Sequence, residues 1–114
     1  MPQLSRDVVE WFMEQLFDDK EKWLNHPLAM PLIYQNLRGL PPATIINAQH
    51  DPLRDHGKVY QERLREAGVP VTRSIYTKSL HGFFGTSFGE SDEAMMEAAI
   101  ALRHAFHTEK LAAN

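Results

Sequence analysis

Apolar positions recur at two different periods along this chain, and the change of period marks out its elements. Val8, Val9, Phe12, Met13, Leu16 and Phe17 fall at helical spacing, with Trp11 widening the stripe, and predict an amphipathic helix over 6–17. Ser5 is placed to cap it, and Asp7 puts a negative charge in the first turn, where the helix dipole favours one. Packing in a core is the simplest role for such a stripe. The charged stretch 18–24 predicts a turn or a frayed end. In His26-Pro27-Leu28-Ala29-Met30-Pro31-Leu32-Ile33-Tyr34 the prolines stand too close together for a helix interior, which predicts an extended connector.

Beyond the double proline Pro41-Pro42, the pattern turns strand-like. Ala43-Thr44-Ile45-Ile46 is a short apolar run with β-branched residues, the signature of a buried strand. A helix follows, with Val59, Tyr60, Leu64 and Ala67 on one face, Asp55 as its expected N-cap, Gly68 as its stop and Pro70 beyond. Val71-Thr72-Arg73-Ser74-Ile75-Tyr76-Thr77 alternates and predicts the next strand, with Arg73 and Lys78 marking it as an edge. The last helix is expected from Ser91, with Asp92 and Glu93 in its first turn and Met95, Ala98, Ala99, Leu102, Ala105 and Phe106 as its buried stripe. His104 and His107 suit the negative pole near its end.

Composition narrows the possibilities. A chain of 114 residues has the size of one small domain, with apolar content enough for a core. A net charge of −3 with mixed signs gives no basic footprint, so nucleic acid is not an expected partner. Without cysteine there is neither a disulfide framework nor thiolate chemistry. The first residues lack a charged region followed by an apolar run, and no stretch is long enough to span a bilayer, so a soluble cytoplasmic protein is expected.

Chemistry concentrates in two loops. Asn47-Ala48-Gln49-His50-Asp51-Pro52-Leu53-Arg54-Asp55 places Asp51 just past the first strand, and Leu80-His81-Gly82-Phe83-Phe84 places His81 just past the second. Both would emerge at the C-terminal edge of a parallel sheet, where ligands and reactive groups gather in open α/β folds. Taken singly, Asp51 in an Asp-Pro step is a turn former and His81 an ordinary loop histidine. A carboxylate and then a histidine, each after its own strand, is the second half of a Ser/Asp/His system in α/β-hydrolase order. Asp55 has two readings, helix cap and acid, and capping is the simpler.

With these motifs, and with Gly39-Leu40-Pro41-Pro42 leading into the strand, residues 40–106 resemble the C-terminal end of an α/β-hydrolase of the hormone-sensitive-lipase type, the bacterial carboxylesterases of short acyl esters. The resemblance implies Asp51 as catalytic acid and His81 as catalytic histidine. It implies an aromatic helix near the acyl pocket at the position of residues 6–17, and Phe83 and Phe84 walling the site against water. It also implies a strand-Gly-x-Ser-x-Gly-helix nucleophile elbow and a His-Gly-Gly oxyanion loop upstream of the acid. Neither occurs before Asp51, where Ser5 is the one serine and has no flanking glycine. Gly85-Thr86-Ser87-Phe88-Gly89 fits the elbow pattern by letter but not by context, since it follows His81 within a loop and has no strand before it.

The expected architecture is therefore α/β: the C-terminal portion of an α/β-hydrolase fold, with two parallel strands and about three helices. Residues 1–42 would form an N-terminal helix and proline-rich connector, and residues 43–114 the segment carrying the acid and histidine loops. Two strands leave an unpaired sheet edge and half-covered helices, so completion by a homo-oligomer or a partner chain is expected. The resemblance implies an interface through strand 71–77 and residues 94–106. A short-acyl esterase fragment, inactive alone, is one functional expectation; a non-catalytic interaction module on the same half-fold is the other. His50, His56, His104 and His107 form no metal-binding pattern, no phosphate loop appears, and no cofactor is implied.

Overall fold

A computed structural model of the chain describes residues 4–112, with side chains through residue 107. The expectation about the chain's first three residues lies outside that range. In order, the elements are α1 (Arg6–Leu16), α2 (Lys20–Leu24), a 3-10 turn (Pro31–Ile33), β1 (Ala43–His50), α3 (Arg54–Glu66), β2 (Val71–Leu80) and α4 (Ser91–Ala112). The fold is α/β, with β1 and β2 paired in parallel from Ala43↔Val71 to His50↔Leu80.

The two faces of this sheet follow from side-chain alternation along the strands. Ala43 and Ile45 of β1, with Val71 of β2, pack under α3 against Leu37, Tyr60, Leu64, Ala67 and Val69. Ile46 and Ala48, with Tyr76, face the other way, against Ala94 of α4 and Phe83. Parallel strands with short crossovers need helices on both faces, and this pair has them. Leu64, only 1 % exposed, centres the α3 side; burying a leucine contributes roughly 2 kcal/mol. Gly57 lets α3 approach β1 closely, because a Cβ there would lie 2.8 Å from Asn47 Cγ. Beyond α3, Gly68 at φ +80° reverses the chain, a conformation that costs a side-chain-bearing residue far more than glycine.

Several expectations need correction. The charged stretch 18–24 is not a turn or frayed end but forms α2, which makes four α-helices among the described residues: Asp19 accepts from the Lys22 N–H at 3.3 Å and caps it, and Asp18 accepts from the Trp23 indole at 2.8 Å. The connector is not simply extended. Its backbone turns at 26–30 and then forms the 3-10 turn, with Pro31 at the turn's start, where a missing N–H costs nothing. The Arg63 guanidinium ties this turn to α3 by donating to the Leu32 and Tyr34 carbonyls. Asp55 is not the N-cap of α3. That position belongs to Leu53, two residues earlier; the helix starts at Arg54, and Asp55 sits in its first turn.

The apolar faces differ most from expectation. No α1 residue is buried, and Trp11, Phe12 and Leu16 are exposed. On α4 the covered residues are Ser91 and Ala94, with Ala98 and Ala101 half-buried, whereas Met95, Leu102 and Phe106 are open to solvent. Val59 of α3 is exposed as well. His104 and His107 lie short of the end of α4, which continues to Ala112. The radius of gyration is 16.5 Å, against about 13 Å for a compact domain of this length. Among the described residues, no helix is long and apolar enough to cross a membrane.

Candidate active site

β1 runs four residues beyond the apolar core of the strand, to His50, so Asp51 emerges directly from its C-terminal end. The carboxylate then does two things at once. Oδ1 accepts from the Leu53 N–H at 2.8 Å, closing an Asx turn at the Asp-Pro step. Oδ2 stands 2.9 Å from His81 Nδ1, delivered by the end of β2. The turn geometry and the histidine contact are thus complementary, because the first fixes the direction of the second. Arg54 braces the turn from behind, its Nη1 donating to the Gln49 carbonyl at 3.1 Å while its backbone N–H donates to the Asp51 carbonyl at 3.1 Å.

Burial is unequal across the pair. The Asp51 side chain is 12 % exposed and that of His81 45 %. A carboxylate held in one orientation fixes an imidazole with its proton on Nδ1, leaving Nε2 with a free lone pair as a proton acceptor. Beside His81 lies an open apolar groove of about 230 Å³, lined by Val9, Phe12, Met13 and Leu16 of α1 together with Leu4 and Leu53. It brings the apolar side of α1 to the imidazole and has room for a small organic group.

The loop from His81 to Glu90 is anchored by packing. Phe83 is buried against Ala48, Tyr76 and Ala94 and anchors the loop, and together with His81 it lines a small cavity of about 120 Å³; Phe84, stacked edge-on against it, is half exposed. The Thr86 hydroxyl donates to the Phe83 carbonyl at 2.6 Å. Ser87 is exposed in this loop, with Gly85 and Gly89 on either side at positive φ, and no strand leads into it. An elbow needs both that strand and a following helix whose N-terminus faces the oxyanion. Among the described residues, no three histidine, aspartate or glutamate side chains gather as a metal would require.

Sequence reading missed the Leu53 N–H, the Arg54 brace, Ser79, Glu90 and the bond that Ser91 makes to Gly85. The Asp-Pro step signals the first, since an aspartate followed by proline commonly closes onto the N–H two residues on. No local pattern signals the others, whose partners lie across a loop.

A family model described as the alpha/beta hydrolase fold matches residues 1–85. The chain is 37 % identical over 112 residues to carboxylesterase NlhH of Mycobacterium tuberculosis, covering 93 % of this chain and 34 % of that protein. It is 44 % identical over 66 residues to an arylesterase of Saccharolobus solfataricus, covering 58 % of this chain and 22 % of the relative. Its backbone superposes on an esterase structure from Pyrobaculum calidifontis with a TM-score of 0.82 at 34 % identity, covering 90 % of this chain and 33 % of that one. The chain thus spans about a third or less of the length of these relatives. The fold, the matched family and these likenesses agree: this chain belongs to the α/β-hydrolases, among the carboxylesterases of the hormone-sensitive-lipase type.

Proposed function

We propose that this chain supplies the acid and the base of a serine carboxylesterase acting on short acyl esters, with the nucleophile and oxyanion donors contributed from outside these 114 residues. The observation that carries the reading is the 2.9 Å contact between Asp51 and His81 at the tips of adjacent parallel strands. The names of the relatives, carboxylesterase and arylesterase, supply the bond type.

In this mechanism a serine oxygen attacks the ester carbonyl carbon and its proton passes to His81 Nε2. The tetrahedral intermediate then expels the alcohol, which takes that proton back. Water attacks the acyl-enzyme in the same way and releases the acid. Asp51 keeps the imidazole in the useful tautomer and stabilises it when it becomes cationic. Alone, the chain has little to activate, so little hydrolysis is expected. Residues 43–114 carry the reacting groups, residues 1–42 add the apolar wall beside His81, and a cytoplasmic location goes with this reading.

Association is part of the proposal. Each strand of the pair keeps a free edge, and α4 exposes Met95, Leu102 and Phe106, so strand 71–77 and residues 94–106 form the surface through which a second copy or a completing chain docks. The same exposed residues favour the second reading, a non-catalytic interaction module built on the half-fold.

The test is reconstitution. The chain is mixed with a segment from an esterase relative carrying strand-Gly-x-Ser-x-Gly-helix, and hydrolysis of a short aryl ester is followed. Activity that appears only in the mixture, and is lost in Asp51→Ala and His81→Ala, supports the esterase reading. A complex that forms but stays inactive favours the module. Hydrolysis by the isolated chain, abolished by Ser87→Ala, would reinstate Ser87 and overturn the proposal.

A further inference from the structure

Ala48 of β1 lies opposite Tyr76 of β2, and His50 lies opposite Leu80. Two residue steps on β1 therefore match four on β2, so β2 carries two extra residues in the stretch Thr77, Lys78 and Ser79, immediately before Leu80 and His81. A bulge bends its strand and re-aims the side chains beyond it, and it leaves backbone groups outside the ladder that need other partners.

One carboxylate meets that need. Glu90, the last residue before α4, accepts the Lys78 N–H on Oε1 at 2.7 Å, and the same oxygen accepts the Ser79 hydroxyl at 2.9 Å. Ser79 is 3 % exposed, so its hydroxyl has no access to water in place of this bond. Ser91, the other buried polar side chain among the described residues, accepts the Gly85 N–H at 2.9 Å. Glu90 joins the two ends of the loop His81 begins, and Ser91 pins its middle.

We infer that Glu90 is a positioning residue for His81: by holding the β2 bulge closed, it sets the imidazole opposite Asp51. The inference rests on the esterase reading for its functional meaning, but its structural content concerns the Asp51–His81 bond alone. If Glu90 merely tethered α4, its loss would leave that bond untouched.

Nuclear magnetic resonance on the isolated, isotopically labelled chain separates these cases. The His81 Nδ1 proton, bonded to Asp51, should give a downfield resonance that disappears in Asp51→Ala. In Glu90→Ala its exchange with water should accelerate about tenfold, the scale on which a lost buried hydrogen bond is felt. Glu90→Gln keeps an acceptor oxygen in place and should stay within about twofold of the unaltered chain. If Glu90→Ala does not fold, Ser79→Ala, which removes one of the two donors, replaces it and should also accelerate exchange. An unchanged rate in whichever variant folds overturns the inference, as does the absence of the resonance from the unaltered chain. Failure to reconstitute esterase activity would sink the functional proposal while leaving this comparison intact. Where reconstitution succeeds, Glu90→Ala should lower kcat and leave KM unchanged, with Glu90→Gln restoring kcat.

Discussion

The Asn47 side chain occupies the space that a side chain at position 57 would need, and its Oδ1 simultaneously accepts the Arg73 Nε–H at 2.8 Å. Helix α3, strand β1 and strand β2 meet at this point, so the spacing of the whole crossover depends on a glycine in the helix's second turn.

Two effects oppose each other in Gly57→Ala. Alanine gains up to about 1 kcal/mol of helix propensity, whereas forcing a methyl group against Asn47 costs about 1–3 kcal/mol. Overpacking should win, because Asn47 is held by Arg73 and has little freedom to retreat. A net loss of stability in urea is expected, recovered when Asn47→Ala is added; a stabilised Gly57→Ala would show that α3 stands further from β1 than described.

Tyr76 provides a pH signature. Burial first, and then its hydrogen bond to Glu97 at 3.0 Å, raise the phenol above its ordinary value of 10.0. The folded state thus holds this proton more tightly than the unfolded one. The resulting stabilisation is complete below the unfolded value and is lost as pH rises through the higher folded value. Denaturant midpoints measured from neutral pH to beyond 10 should show a decline that Tyr76→Phe lacks, alongside a loss at neutral pH of about 1 kcal/mol for the missing hydrogen bond.

Arg63→Lys keeps the charge but not the planar fork that reaches two carbonyls. The Leu32 and Tyr34 carbonyls would lose their shared donor, at a cost of about 1–2 kcal/mol. Limited proteolysis should then cut within residues 31–35 well before it cuts α3. Equal cutting rates in the two proteins would remove Arg63 from the account of how the connector is held.

The exposed stripe on α4 makes its own prediction. Leu102 is 58 % exposed, so Leu102→Glu should change the chain's own stability by no more than about 0.5 kcal/mol. Its effect should appear instead in sedimentation, as a shift toward monomer at concentrations where the unaltered chain self-associates. No shift would exclude this face of α4 from the association surface.

How much of this was legible in sequence follows from the range of each interaction. The parallel strands, the crossover helix, Ser5 as a cap, Gly68 as a stop and the start of α4 at Ser91 depend on residues close in the chain, and all are found, with both strands running three or four residues further and the crossover helix starting earlier than the pattern places them. The convergence of Asp51 and His81 was legible from chain order plus the rule that neighbouring parallel strands end at the same edge. The misjudged faces of α1 and α4 share one cause. Periodicity shows which side of a helix is apolar but not whether anything lies against it, and Met95, Leu102 and Phe106 have no neighbouring layer among the described residues. Helix α2 escaped because its stability comes from Asp18 and Asp19 contacts rather than from an apolar stripe. The β2 bulge escaped because extra residues in a strand become visible only against a partner.

Asp51 follows β1 and His81 follows β2, so both belong to a single β1–α3–β2 unit, whose Leu64 and Val69 pack with Leu37 from just upstream of it. The acid and the base would therefore be inherited together in any genetic rearrangement that broke a hydrolase gene ahead of Leu37.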